Sequence, residues 1–341
     1  MLQRERDGQI LAPNGSIASA NKRKGSPCQQ DGDSSYHSGG LPLCTVSKKD
    51  GDSSFLKENG DGDSQAGKTM ICSIPDLPEG IICLRIPCEL QRFSRLRICA
   101  CMRLKLIESK APNLSTLDLD GKPKLSLGKA LQLKNLRMYQ SNILCYARTE
   151  LPSIMPNLDT LDLSSGDEVV NTPMLPTKFL CLKHLTICLP RSFPWPYDYF
   201  SLVSFLDVSP SLETLSLDVP KKAMEDESIF RYSSDLRQMA EDHHRSLKNV
   251  KITGFSSAKS LVELTCYILK NAVSLECLAL DTHDGSTLRC SDTDRIVRQC
   301  IPVSNSLRVK RRALVAIRKF IEDKVPAGVK LTVVEPCSRC H

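Results

Sequence analysis

A short leucine phrase recurs along most of this chain and constrains its fold more than any other feature. The phrase is Leu-x-x-Leu-x-Leu, and its four complete copies are residues 114–119, 158–163, 212–217 and 275–280. Four looser copies begin at Phe93, Leu133, Leu182 and Leu247. The eight copies begin 19 to 35 residues apart, so the phrase is an internal repeat whose period drifts.

The spacing of the leucines within each phrase predicts a strand. In x-Leu-x-Leu-x, successive side chains point to opposite faces, so the leucines lie on one face and the x residues on the other. One such strand cannot bury its leucines alone, whereas stacked copies form a parallel sheet with a shared core. The sequence therefore predicts an α/β fold: an irregular leucine-rich-repeat solenoid with a curved parallel sheet and with helices or loops on its convex side.

Composition divides the chain into three parts. Residues 1–70 repeat the polar phrase Asp-Gly-Asp-Ser and contain few large apolar side chains, so we expect a disordered, low-complexity segment. Residues 71–288 form the predicted repeat region. Residues 289–341 carry twelve basic and five acidic groups and are predicted to cap the repeats with a basic helix and a strand. We interpret this basic tail as a solvated helix rather than as a nucleic-acid site.

Helical spacing of apolar residues appears in three of the connecting segments. The clearest predicted helix is Ser256–Asn271, in which Ser256 or Ser257 can cap the first turn. Its apolar stripe consists of Leu261, Val262, Leu264, Thr265, Ile268 and Leu269. A shorter helix is expected to end before Pro210. The third covers 311–324, with apolar Leu314, Val315, Ile317, Phe320 and Ile321, and precedes a closing strand around Leu331.

Two further segments are insertions between repeats. The first, Leu189–Phe200, is rich in proline and aromatic residues and contains the only tryptophan, Trp195. Its rings could anchor a partner, but packing against the neighbouring helix is the favoured interpretation. The second insertion, Lys221–Arg245, is charged, and we expect an exposed helix over Ser234–His243.

Cysteine usage and the lack of targeting signals indicate an intracellular protein. Most of the sixteen cysteines stand alone in apolar runs, as free thiols do in a reducing compartment. The first residues lack the apolar core of a signal peptide, and no run is as long as a membrane span. We therefore expect a cytoplasmic or nuclear location, or both, and no membrane association.

Two motifs resemble cofactor sites but lack the context that such sites need. Residues 62–69 match the phosphate-loop pattern, yet a polar run precedes them, and Pro75 and Pro78 prevent a long helix after them. At the C-terminus, Cys337, Cys340 and His341 provide three ligands, whereas a structural zinc site needs four. We expect no cofactor, no metal and, because no catalytic motif occurs, no enzymatic activity. A zinc or nucleotide protein remains an alternative.

The candidate binding residues are the outward x positions of the strands. In stacked repeats, these positions line the concave sheet, which is the surface that such proteins use for binding. The candidates are Thr116, Asp118, Asp120, Arg137, Tyr139, Asp162, His184, Ser216, Asp218 and Lys251. Acidic groups slightly outnumber basic ones across all the outward positions, so we expect a protein partner and no nucleic acid.

From Ile81 to His341 the chain resembles the plant F-box/leucine-rich-repeat proteins, a family expanded in grasses that has an FBD-like C-terminal region. The resemblance rests on the recurring Pro-Asn/Ser-Leu-x-Thr-Leu-x-Leu and on three further runs, residues 107–114, 171–176 and 334–341. It implies that the repeats select a substrate for a cullin-RING ubiquitin ligase. An F-box ahead of the repeats would dock a Skp-type adaptor.

The chain departs from this family where the F-box should lie. Residues 77–82 look like the opening phrase of an F-box, but Phe93–Ile98 already fits the repeat. We therefore expect a non-enzymatic protein-binding relative of the F-box substrate receptors, a truncated paralogue without an intact F-box. The alternative is a functional SCF-type ubiquitin-ligase adaptor with a degenerate F-box at 77–110.

Overall fold

A computed structural model describes most of the chain from residue 83 onward. The described residues are 9–10, 44–45, 73–74, 83–86, 88, 92–98, 104–127, 133–166, 168, 178–189, 197–219, 228–231, 236–237, 241–283 and 304–335. They fall into two compact units, Met1–Met138 and Tyr139–His341. The predicted disorder of residues 1–70 lies outside the described residues, except for two strands of two residues each.

Fifteen strands and five α-helices are described. The strands are β1 (Gln9–Ile10), β2 (Cys44–Thr45), β3 (Ser73–Ile74), β4 (Cys83–Ile86), β5 (Arg95–Ile98), β6 (Leu106–Ser109), β7 (Thr116–Asp120), β8 (Lys124–Ser126), β9 (Asn135–Tyr139), β10 (Thr160–Ser164), β11 (His184–Cys188), β12 (Thr214–Asp218), β13 (Asn249–Thr253), β14 (Cys277–Asp281) and β15 (Lys330–Val334). The α-helices are α1 (Ile143–Thr149), α2 (Leu151–Ile154), α3 (Val203–Val208), α4 (Lys259–Asn271) and α5 (Ser304–Phe320). Short 3₁₀ helices cover Tyr199–Leu202 and Glu322–Lys324.

In the first unit, the repeats that begin at Phe93 and Leu114 contribute two strands each. One sheet has the order β3, β2, β5, β7, β9, and the other has the order β1, β4, β6, β8. Both place alternate apolar residues inward, as Leu96 and Leu117 do in one sheet and Ile107 does in the other. Strands β5, β7 and β9 begin only 21 and 19 residues apart, which leaves room for a second short strand but not for a helix of ordinary length.

The second unit contains six parallel strands in chain order, β10 to β15. The leucine phrases align in register, so their inward side chains form two rows across the first five strands. One row is Leu161, Leu185, Leu215, Val250 and Leu278, and the other is Leu163, Ile187, Leu217, Ile252 and Leu280. All ten side chains are at most 4% exposed, so the predicted inward orientation of the phrase is confirmed.

Helix α4 lies near its predicted position but begins three residues later. Its N-cap is Ala258, which makes no side-chain cap, so the prediction of a cap from Ser256 or Ser257 is wrong. The six residues of the predicted stripe are all buried, and so are Glu263 and Tyr267 on other faces of the helix. The helix is therefore enclosed by neighbouring segments rather than lying on a surface.

Two other helix predictions need correction. Within Ser234–His243, the described residues 236–237 and 241–243 are not helical, because tertiary contacts of this segment hold it in another conformation. Helix α5 begins at Ser304, before the predicted 311, and Val315 is 51% exposed although it was assigned to the apolar face. Its buried apolar residues are Ala313, Ala316, Ile317 and Phe320, followed by Ile321, and Lys310 is buried as well.

Candidate protein-binding surface

The outward face of a sheet is here the face opposite its buried leucine rows. In the second unit, strand pairing aligns the outward positions into rows as regular as the inward ones. The central row runs from Asp162 through Thr186 and Ser216 to Lys251. The three small or medium side chains that begin this row are half-buried, and Lys251 is exposed. The surface is therefore shallow, polar and open to a partner at its centre.

The structure places all ten candidate residues on outward strand positions. On β7 and β9 these are Thr116, Asp118, Asp120, Arg137 and Tyr139, and on β10 to β13 they are Asp162, His184, Ser216, Asp218 and Lys251. None of them is buried, and Tyr139 is 53% exposed. Each candidate is thus accessible to solvent on a face that the adjacent leucines make rigid.

In the second unit, the outward positions at the carboxyl ends of the later strands are buried. The row that contains Asp218 continues to Thr253 and Asp281, which are 9% and 2% exposed. Asp281 accepts a hydrogen bond from the backbone N–H of His283, and its Oδ1 lies 3.0 Å from Nδ1 of the same residue. The accessible part of this face therefore lies on β10 to β13.

A row of alternating charge before the strands was missed by the sequence reasoning. It consists of Asp159, Lys183, Glu213, Lys248 and Glu276, each two residues ahead of the first inward side chain of its strand. Lys183 Nζ lies 3.7 Å from Asp159, and Lys248 Nζ lies 3.4 Å from Glu213. The alternation was readable at the second position of these five phrases. Such exposed pairs add little stability, but opposite charges on neighbouring strands favour this register.

The aromatic insertion packs against the fold. Tyr197 and Tyr199 are buried, and their rings meet edge to face with centroids 5.4 Å apart. The ring of Phe200 contacts Tyr267 of α4 in the same way, at 5.8 Å. These contacts support the packing interpretation for the described rings of the insertion, whereas Trp195 lies outside the described residues.

Arg237 ties the charged insertion to α4. Its Nη1 lies 2.8 Å from Asp198, and its Nε lies 3.1 Å from a carboxylate oxygen of Glu263. The other oxygen of Glu263 accepts the Arg237 backbone N–H, and the guanidinium lies over the Phe200 ring. The Glu263 side chain is fully buried, so Arg237 supplies the charge that its carboxylate needs. These contacts explain why Arg237 does not lie on an exposed helix.

Replacing Arg237 by alanine is expected to lower the free energy of unfolding by about 2 kcal/mol, because Glu263 would remain buried without its partner. The loss is smaller than for a fully buried pair since the Arg237 side chain is 44% exposed. Adding Glu263→Gln should restore about half of it, as measured by urea unfolding. Lys270→Ala, which breaks an exposed pair with Glu241, is the control and should cost under about 0.5 kcal/mol. Equal losses of stability in Arg237→Ala and Lys270→Ala would contradict the prediction.

A cluster of titratable groups lies beside α4. The Tyr267 hydroxyl is 3.0 Å from His244 Nε2, and His244 is 4.0 Å from Asp207. Partial burial of the Asp207 side chain, which is 46% exposed, raises its pKa to about 6 and Asp242 adds to the rise, while Lys178 and a hydrogen bond with Tyr267 oppose it. Burial also lowers the pKa of His244. At neutral pH this cluster therefore holds a carboxylate in an unfavourable site beside a neutral imidazole.

Asp207 should make stability depend on pH. Its folded pKa of about 6 exceeds the ordinary value of 3.8, so its stabilising contribution is complete below 3.8 and is lost as pH rises through 6. Asp207→Asn should therefore gain stability relative to the wild type between pH 4 and pH 7. Urea unfolding of both proteins across this range measures the difference. A constant difference at all pH values would show that Asp207 titrates normally.

The motifs that suggested cofactors lie outside the described residues, both 62–69 and the C-terminal group of Cys337, Cys340 and His341. Among the residues that the structure describes, no three His, Cys, Asp or Glu side chains are grouped so that they could hold a metal ion. No helix in this described part is long and apolar enough to cross a bilayer.

The repeated phrase, the parallel strands with buried leucine rows and the polar outward rows together define a leucine-rich-repeat protein. More narrowly, a family model described as "At1g61320/AtMIF1, LRR domain" matches residues 78–338, and the chain belongs to this plant leucine-rich-repeat family. The match covers every strand from β4 to β15. Comparison with curated proteins gave no match, and comparison with solved structures gave none either.

Proposed function

We propose that this protein is a non-enzymatic protein-binding solenoid whose outward sheet positions contact the partner. The carrying observation is the row from Asp162 to Lys251 on parallel strands. Its small hydroxyl side chains let a partner approach the sheet closely, and the charges at its two ends orient that partner. Because buried leucines hold the strands in register, the surface is formed before binding and little ordering is needed.

The binding face can be tested with bulky substitutions at its centre. Thr186→Arg combined with Ser216→Arg should remove partner proteins from the set that proximity labelling detects in the native tissue. Val273→Arg combined with Val315→Arg adds the same charge at exposed positions away from the sheet, which are 62% and 51% exposed, and should leave the set unchanged. An identical set for all three proteins would refute binding through this face.

We also propose a relation to the F-box substrate receptors of cullin-RING ligases, without recruitment of a ligase. The resemblance supports the relation, and the strands of the first unit argue against an F-box remnant. An F-box is helical, whereas 83–86, 95–98 and 106–109 are strands that pair in parallel with their neighbours. We also propose a location in the cytoplasm, the nucleus or both, because most of the cysteines stand alone in apolar runs, as free thiols do in a reducing compartment.

The competing hypothesis is a working ligase adaptor with a degenerate F-box at 77–110. We expect that a Skp-type adaptor does not bind the full chain in a pull-down, because strands cannot present the helical hairpin that such adaptors recognise. Adaptor binding that is lost on deleting 71–110 and also with Leu77→Asp would establish the competing function. The point variant is needed because the deletion removes four strands of the first unit, β3 to β6. The third alternative is a zinc or nucleotide protein. It would be excluded if elemental analysis found no bound zinc and ATP did not shift the melting temperature.

A further inference from the structure

The repeats carry opposite charge in two parts of the chain, although their total charge is balanced. Residues 83–138 contain twelve basic and four acidic groups, whereas residues 139–288 contain thirteen basic and nineteen acidic groups. If charged groups were evenly distributed along the repeats, neither the basic excess of the first part nor the acidic excess of the second would occur. The basic excess lies in the first unit, so any partner of its outward face meets a positive field.

On the outward face of β5, β7 and β9, arginines flank a carboxylate. Arg97 Nε lies 3.6 Å from Asp118 on the neighbouring strand, and the two residues are paired in register. Asn135 donates to Thr116 at 3.3 Å, which places Arg137 beside Asp118 on its other side. Arg95, Arg97 and Arg137 are all exposed. Asp118 is therefore ion-paired with Arg97, while Arg95 and Arg137 occupy outward positions on the two neighbouring strands.

We propose that this face binds an extended acidic protein segment, which deepens the proposed function by naming the chemistry of one partner. Alternate residues of a strand are about 7 Å apart, so carboxylates at alternate positions of a bound peptide match the spacing of Arg95 and Arg97. The planar guanidinium groups donate paired hydrogen bonds to carboxylate oxygens. Asp118 holds Arg97 in place, which reduces the ordering that binding requires.

The modest surplus of charge favours an acidic peptide over nucleic acid. The cations of this face are Arg95, Arg97 and Arg137, and its carboxylates are Asp118 and Asp120. Nucleic-acid affinity comes from many phosphate contacts, and the two carboxylates would repel a continuous phosphate chain. Two or three carboxylates on a peptide need no larger surplus than this face offers.

Fluorescence anisotropy of the full chain tests the proposal with three labelled probes: a peptide of alternating Glu and Ser, its Gln counterpart and oligothymidine. The Glu peptide should bind more tightly than the other two. Arg97→Ala combined with Arg137→Ala should weaken its binding about tenfold or more. Lys110→Ala combined with Lys124→Ala removes the same charge from the other sheet of this unit and should change binding less than about twofold.

Four results would overturn the proposal. They are equal losses in the two double variants, tighter binding of oligothymidine, equal binding of the Gln peptide, and no binding of any probe. Thermal melting of both variants shows whether the sheet remains folded, and Arg97→Lys with Arg137→Lys, which keeps the charge, should retain part of the affinity. The Thr186 and Ser216 variants described above test the outward positions of the second unit, so the proposed function can survive failure here.

Discussion

Leu217→Ala should lower the free energy of unfolding by about 2–5 kcal/mol, one of the two largest effects expected. Leu217 is 1% exposed and lies in the inward row between Ile187 and Ile252 on the adjacent strands. Removing its side chain leaves a cavity that strands paired on both sides cannot close by moving together. Urea unfolding followed by circular dichroism measures the loss.

The control for Leu217 is its neighbour on the same strand. Ser216 points to the outward face, so Ser216→Ala removes no buried contact and should change stability by less than about 0.5 kcal/mol. Comparing Leu217→Ala with Ser216→Ala therefore tests whether successive side chains of a strand alternate between the buried and the outward face, as the fold requires. If the two variants lost equal stability, the leucine rows would not form the core of the second unit.

Gly254→Ala should cost about 3 kcal/mol, because the native backbone leaves no room for a side chain. Gly254 has a φ of +78°, and a Cβ placed there would lie 2.1 Å from the carbonyl oxygen of Val219. The Gly254 N–H donates a hydrogen bond to the backbone carbonyl of His283. The Val219 N–H donates to the backbone carbonyl of Thr253, the residue before Gly254. A methyl group at Gly254 would therefore displace backbone segments that are hydrogen-bonded to each other between neighbouring repeats.

Gly328→Ala provides the matched control for Gly254. A Cβ at Gly328 meets no atom within 4 Å, and its φ is not in the left-handed region. The change should be within about 0.5 kcal/mol of zero, or slightly stabilising because the unfolded chain loses freedom. The midpoints of thermal unfolding for the two variants should differ clearly, and similar midpoints would contradict the steric argument.

Local spacing predicted the strands well because alternation is a property of each segment alone. Each of the eight phrases ends in a strand, the first in β5 and the last in β14. The fourth and sixth residues of each phrase are apolar and point inward. The outward positions followed without further information, since a side chain that is not inward on a strand must be outward. For this reason all ten candidate residues lie on outward strand positions, and their role in binding stays a prediction.

Features that depend on distant segments could not be predicted in this way. The amide groups at the start of α1 are capped by Glu168, whose carboxylate accepts from the Leu144 N–H at 2.6 Å, whereas the local N-cap Asn142 makes no side-chain cap. The segment around Arg237 has helical composition but is held by Asp198 and Glu263, which lie far away in sequence. In both cases, a tertiary partner replaced the local interaction.

By itself, the sequence determined where the repeated strands lie and which of their leucines are buried, because both follow from periodicity within short windows. Only the tertiary structure decided the pairing of Arg97 with Asp118, the second sheet of the first unit and the buried Arg237–Glu263 contact. The physical reason is that register and burial depend on which segments meet across a sheet. Periodicity assigns a side chain to a face, but the neighbouring strand determines what it contacts there.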